Sequence, residues 1–164
     1  MNIMVDSSSL INVIKGNCVD QICQLKDMKY YIGNIVIREC SVDEYEKRVI
    51  NGLIKNGKLI SANHNVPLKE FLKIKNNFKI GNGESESIAL CNELGFSLLC
   101  DDRKARECGK KILGKEKVFG SLYLLKRCVD ESMMECTQAN NFYREMESKG
   151  GFLPDLEKTY FCSN

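Results

Sequence analysis

Phe96-Ser97-Leu98-Leu99-Cys100-Asp101-Asp102-Arg103-Lys104-Ala105-Arg106 decides the fold. A short apolar run, Phe96 to Cys100, stops at two aspartates, and a basic stretch that reads as helix follows. An apolar run of that length bounded by polar residues predicts a buried strand. An aspartate directly after it suits the first turn of a helix, because its carboxylate accepts from the free N–H groups there. Just upstream, Gly81-Asn82-Gly83 predicts a loop opening a helix from Glu84 to about Leu94. Ile88, Cys91 and Leu94 form its apolar stripe, and Gly95 stops it. The N-terminus repeats the strand–aspartate–helix pattern. Asn2 to Val5 predicts a strand ending at Asp6, and Ser7-Ser8-Ser9 opens a helix carrying Leu10, Ile11, Val13 and Ile14.

Between these ends the pattern alternates. A short helix is expected over Val19 to Leu25, a strand over Tyr30 to Ile37, a helix from about Ser41 to Lys55, a strand over Lys58 to Ser61 and a helix from Pro67. Beyond the basic helix come a strand at Lys117 to Phe119 and helical segments at Ser121 to Val129, about Met133 to Ser148, and Pro154 to Tyr160. Strands alternating with helices define an α/β class with a mainly parallel sheet. There is no internal repeat or linker, so a single domain over residues 1–164 is expected. Met133, Met134, Phe142, Tyr143 and Met146 read as core more readily than as a partner surface.

Composition narrows the classes. The chain is 43% hydrophobic and 28% charged with two prolines, which excludes a Pro-rich disordered chain. Apolar runs are too short to cross a membrane. The start Met1-Asn2-Ile3-Met4-Val5-Asp6 lacks a basic leader and a long apolar stretch, so a cytoplasmic setting is expected. The nine cysteines are odd in number and lack paired zinc-type spacing. Several sit in apolar runs, so reduced core thiols are expected rather than disulfides.

Acids recur at one topological level. Asp6 and the pair Asp101-Asp102 end predicted strands, and Glu44 and Glu84 begin predicted helices. In an open parallel sheet the carboxyl ends of the strands converge on one crevice. Carboxylates gathered there repel one another unless a hard cation joins them, and Mg²⁺ or Mn²⁺ is the expected occupant. Two such ions ~4 Å apart serve phosphodiester hydrolysis. Singly, each acid has a plainer role: Asp6 and Asp102 as caps, Glu84 at a helix N-terminus, Glu44 paired with Arg48. Those roles do not explain the recurrence at one level.

These blocks carry a family likeness. Val5-Asp6-Ser7-Ser8-Ser9-Leu10-Ile11 resembles the opening of PIN-domain nucleases. Ile35-Val36-Ile37 with Val42-Asp43-Glu44-Tyr45 resembles the next block, a strand leading into a helix that bears a glutamate. Gly83-Glu84-Ser85-Glu86-Ser87-Ile88-Ala89-Leu90 is similar to the Gly-Glu-Ala-Glu-Ala-Ile-Ala-Leu run of one branch. Leu98 to Arg106 is similar to its Asp-Asp-x-x-Ala-Arg block, and Val118-Phe119-Gly120-Ser121-Leu122 follows in order. The resemblance implies a PIN-like three-layer α/β/α sandwich around a mainly parallel sheet, a divalent metal, and cleavage of RNA. It implies a catalytic quartet of Asp6, Glu44, Glu84 and Asp102, with Asp6, Glu84, Asp101 and Asp102 as metal ligands; Glu39, Asp43 and Glu46 lie near Glu44 as alternatives for its place. Ser8 takes the small polar position that orients the first aspartate. Many such proteins are VapC-like toxins of toxin–antitoxin pairs, so an antitoxin protein and a homodimer are the partners to look for.

The surrounding charge fits an anionic substrate. From Arg103 to Lys117 seven basic residues stand against Glu107 and Glu116, and Lys69, Lys73, Lys75 and Lys79 form a second group. A basic rim steers a phosphate backbone, and Arg103 and Arg106 are placed to contact it. A solvated helix face explains either group alone. His64, the lone histidine, falls in a polar stretch that reads as a surface loop, which disfavours metal-independent acid–base cleavage. No run of aromatics suggests base stacking. Two alternatives stay open: a PIN-like module that binds RNA or protein without cutting, and a Mg²⁺-dependent phospho-aspartyl regulatory domain. Against the latter, Ser8 stands where a second aspartate is needed.

Overall fold

The computed structural model describes residues 1–62, 66–151, 153–157 and 159–162. Five strands form one sheet: β1 (Asn2–Val5), β2 (Lys29–Ile32), β3 (Leu59–Ser61), β4 (Ser97–Leu99) and β5 (Val118–Phe119). Their order is β3-β2-β1-β4-β5, and every pairing is parallel. Ile3 lies opposite Tyr30 on one side and Ser97 on the other. The helices are α1 (Ser7–Lys15), α2 (Val19–Ile22), α3 (Asn34–Cys40), α4 (Glu44–Lys55), α5 (Leu68–Phe78), α6 (Asn82–Leu94), α7 (Arg103–Leu113), α8 (Ser121–Asp130) and α9 (Cys136–Ser148).

Alternating side chains of the strands feed two cores. Ile3, Val5, Tyr30, Ile32 and Leu99 point to one face, where they pack with α1 to α4, α8 and α9. Met4, Leu98 and Val118 point to the other, where α5, α6 and α7 cover them. With both faces covered, the result is the expected three-layer sandwich. Met134, Tyr143 and Met146 are buried in the first core.

Topology sets where a ligand can enter. The chain runs from β1 outward to β2 and β3, then returns to lay β4 on the other flank of β1. The strand order reverses between β1 and β4, and a crevice opens outside their carboxyl ends. Asp6 follows β1 and Asp101-Asp102 follow β4, so the switch point lies between them.

Three expectations need correction. The strand expected over Tyr30 to Ile37 ends at Ile32, and Ile35-Val36-Ile37 belong to helix α3. The cause is remote in sequence: Glu86, buried on α6, accepts the N–H groups of Ile35 at 2.8 Å and Val36 at 3.1 Å through Oε2. Gly33 makes room, because a Cβ there would lie 2.3 Å from that same oxygen. The helix expected over Pro154 to Tyr160 is absent among the described residues, which form an irregular tail. Finally, Cys136 and Cys162 form a disulfide, while the seven other cysteines are free as expected. Phe161, fully buried, stacks its edge on Tyr160 and draws the tail onto α9, which brings the two sulfurs together. His64 lies outside the described residues. No helix among the described residues is long and apolar enough to cross a membrane.

Candidate metal centre

Asp6 is the buried acid of the crevice, with 0% of its surface exposed. Its Oδ2 accepts from the Ser8 hydroxyl at 2.7 Å, from the Ser8 N–H at 3.2 Å and from the Cys100 thiol at 3.3 Å. Its Oδ1 is equally buried and has no hydrogen-bond partner among the described residues. Burial raises the Asp6 carboxyl above its ordinary value, against the hydrogen bonds of Ser8 and Cys100 that pull it down. Burial pushes the Cys100 thiol far up as well, so it remains a protonated donor to Asp6.

Ser8 does more than orient Asp6. Its Oγ also accepts the backbone N–H groups of Asp101 at 3.0 Å and Asp102 at 3.2 Å. One hydroxyl therefore ties the end of β1 to the end of β4. The two late aspartates divide their tasks. Asp102 caps α7 through the Ala105 N–H at 2.7 Å and is otherwise exposed. Asp101 has both oxygens engaged: Oδ1 accepts the Ser121 N–H at 2.8 Å and Oδ2 the Asn12 side-chain amide at 2.8 Å.

Glu84 enters from the first turn of α6, half-buried. Its carboxyl is raised by burial, and Asp6, Glu39 and Asp102 all push in the same direction. Glu39 is one of the acids near Glu44 that the sequence offered as alternatives for its place, and it is the one that lies by Glu84. It sits on α3, its Oε1 accepts the Gly83 N–H at 3.0 Å, and Ser7 Oγ lies 3.5 Å from its Oε2. Glu44 is not brought into this group. It opens α4, its side chain is 78% exposed, and it pairs with Lys47 at 3.1 Å rather than with Arg48. The signal for Glu39 was present as Arg38-Glu39 after Ile35-Val36-Ile37. It is legible only once that run is known to be helical.

Arg103 and Lys15 border a cavity of about 420 Å³ with Ser8, Asn12, Asp101 and Asp102. Cations thus flank the acids at the mouth of the crevice. Among the described residues, no three ligating side chains converge closely enough to enclose an ion as they stand. The donor set still fits a hard cation. It is all oxygen, it holds one buried carboxylate oxygen without a partner, burial raises Asp6 and Glu84, and neighbouring acids raise Glu84 further.

Acids at the switch point of a parallel α/β/α sandwich suit a nuclease-type fold. The family DUF3368: PIN domain matches residues 2–159, and the chain belongs to it. In shape the chain is similar to a crystal structure of PAE2754 from Pyrobaculum aerophilum. The TM-score is 0.59 at 16% identity, covering 79% of this chain and 90% of that one, which is a likeness of fold. No curated protein matches the chain.

Proposed function

We propose that the protein is a divalent-metal-dependent endoribonuclease that hydrolyses RNA phosphodiesters at the crevice between β1 and β4. The observation that carries this reading is the buried, unpartnered Oδ1 of Asp6 beside Glu39, Glu84 and Asp102. These four would hold Mg²⁺ or Mn²⁺, with Glu39 in the place first given to Glu44. Bound there, such an ion supplies Lewis acidity for phosphodiester hydrolysis. The protein's own residues supply the frame. Ser8 fixes the Asp6 carboxylate and joins both strand ends. Cys100 donates to the same oxygen. Asp101 holds Asn12 and the start of α8 in place. Arg103 and Lys15 bind the phosphate backbone at the rim. In this reading the protein works in the cytoplasm as the toxin of a toxin–antitoxin pair, as its motif resemblance implies. A neighbouring gene for a small DNA-binding antitoxin supports the toxin assignment; its absence removes it.

The test is cleavage of a mixed RNA pool by purified protein in Mn²⁺ or Mg²⁺, beside EDTA and Asp6→Asn controls. Metal-dependent cleavage lost in both controls supports the reading. Equal cleavage by Asp6→Asn assigns the activity to a contaminant. Metal binding without cleavage of any RNA favours a module that binds but does not cut.

A further inference from the structure

Next to the acid crevice lies a second cavity, of about 340 Å³. Arg106, Phe119, Gly120, Tyr123, Pro154 and Tyr160 are among its lining residues, and Asp101 forms part of its wall. Asp101 also borders the cavity that holds Ser8, Asp102 and Arg103, so the two spaces share a wall at the carboxyl end of the sheet. The volume falls in the range of roughly 300–1,000 Å³ typical of small-molecule sites.

Two features of the lining point to a ligand. The Arg106 Nε is buried with no hydrogen-bond partner among the described residues, and Asp101, close by, already spends both oxygens on Asn12 and Ser121. A donor in that state is costly to keep unless something accepts from it. Aromatic rings share the lining with Arg106: Phe119 and Tyr123 stack on each other with centroids 4.4 Å apart, and Tyr160 lines the cavity from the tail. Gly120 lines the cavity too, and a Cβ there would lie 2.8 Å from Asp101 Oδ1 and 3.4 Å from Arg106 Nη1, crowding both. Flat rings beside a guanidinium donor match a nucleobase, which offers a π face for stacking and acceptor atoms on its edge.

We infer that this cavity takes an unpaired base of the RNA strand, next to the phosphate that the acid crevice receives, and so gives the enzyme a base preference. The inference rests on the ribonuclease reading for the origin of the strand, but binding can be tested without cleavage. The probes are the four nucleoside 5′-monophosphates and ribose 5-phosphate, titrated in EDTA and followed by ligand-observed NMR. At least one nucleotide is expected to bind about tenfold more tightly than ribose 5-phosphate. Tyr160→Ala and Arg106→Gln are each expected to weaken it about tenfold, while Tyr160→Phe retains it. Tyr160 is 38% exposed but packs edge-on against the buried Phe161, so thermal melting separates a lost binding contact from a loosened tail. With RNA, the same two variants are expected to redistribute the bases found at cut sites. Equal binding of ribose 5-phosphate, or nucleotide binding indifferent to Tyr160→Ala and Arg106→Gln, overturns the inference. Cleavage whose base preference these variants leave alone overturns it while sparing the ribonuclease. Nucleotide binding with no cleavage of any RNA upholds the cavity and sinks the ribonuclease.

Discussion

The junctions β1–α1 and β4–α7 are written in the same local grammar, strand then aspartate then helix, yet they divide the labour differently. After β1 a single buried residue, Asp6, caps α1 with one oxygen and keeps the other unpartnered. After β4 two residues share the tasks. Asp102 caps α7, and Asp101 anchors Asn12 and Ser121. Burial explains the contrast. Asp6 lies at the centre of the sheet, where a second acid would cost too much, whereas the β4 junction opens to solvent. Cap chemistry alone therefore does not separate a structural acid from a reactive one. The unpartnered oxygen is what sets Asp6 apart as the ligand we propose.

The largest effect that could break this contrast is on activity. Asp6→Asn is expected to lower RNA cleavage by more than the roughly 10–100-fold cost of losing an outer-shell partner, because it removes a ligand itself. Cleavage by the Asp6→Asn protein within threefold of wild type would assign the activity to a contaminant and leave Asp6 a cap with no shown part in catalysis. Ser8→Ala comes next. It leaves the Asp101 and Asp102 N–H groups without their acceptor and frees the Asp6 carboxylate to turn. A loss of about 1–3 kcal/mol in urea unfolding is expected, with a roughly tenfold drop in cleavage. Stability lost without activity would mean that the bridge between the junctions serves only the fold.

A smaller effect concerns pH. Burial raises the folded carboxyls of Asp6 and Glu84 above their ordinary values of 3.8 and 4.5. A raised acid stabilises the fold while it is protonated, and that contribution fades as pH climbs from those values through the folded ones. In EDTA, thermal stability should therefore fall as pH rises across this window, and Mg²⁺ should offset the fall at its upper end. The decline should be shallower in Asp6→Asn. A wild-type melting temperature that stays level across the same pH series in EDTA removes the electrostatic argument for a cation. Smallest of all, Glu44→Gln should change stability by less than about 0.5 kcal/mol, since exposed pairs contribute little. A large loss of cleavage in that variant would return Glu44 to the site.

Much of this was legible in the sequence because it is local. Alternation of strand and helix, Asp6 after β1 and Asp101-Asp102 after β4 all follow from runs of a few residues. What escaped was non-local. Ile35-Val36-Ile37 is β-branched throughout and locally favours a strand. It becomes helix because Glu86, some fifty positions away, caps it. That one misreading put Glu44 ahead of Glu39 for the place that we propose Glu39 fills. The aromatic lining escaped in part the same way, since Tyr160 joins the local Phe119–Tyr123 pair at the cavity only when the tail folds back.

The Cys136–Cys162 bond gives that tail a second property. It closes a loop 26 residues apart in sequence, which by chain entropy disfavours the unfolded ensemble by about 3–4 kcal/mol. Leu153, Pro154, Leu156 and Tyr160 all lie inside this loop and all line the smaller cavity. The wall opposite Arg106 is thus moored at its far end by a covalent tether that any strong thiol donor can cut. Cutting it leaves the buried Phe161, its ring contact with Tyr143, the hydrogen bond from the Tyr143 hydroxyl to the Pro154 carbonyl and the packing of Leu153 and Leu156 to hold the tail, so the shape of the cavity is thermodynamically linked to the electron supply around the protein.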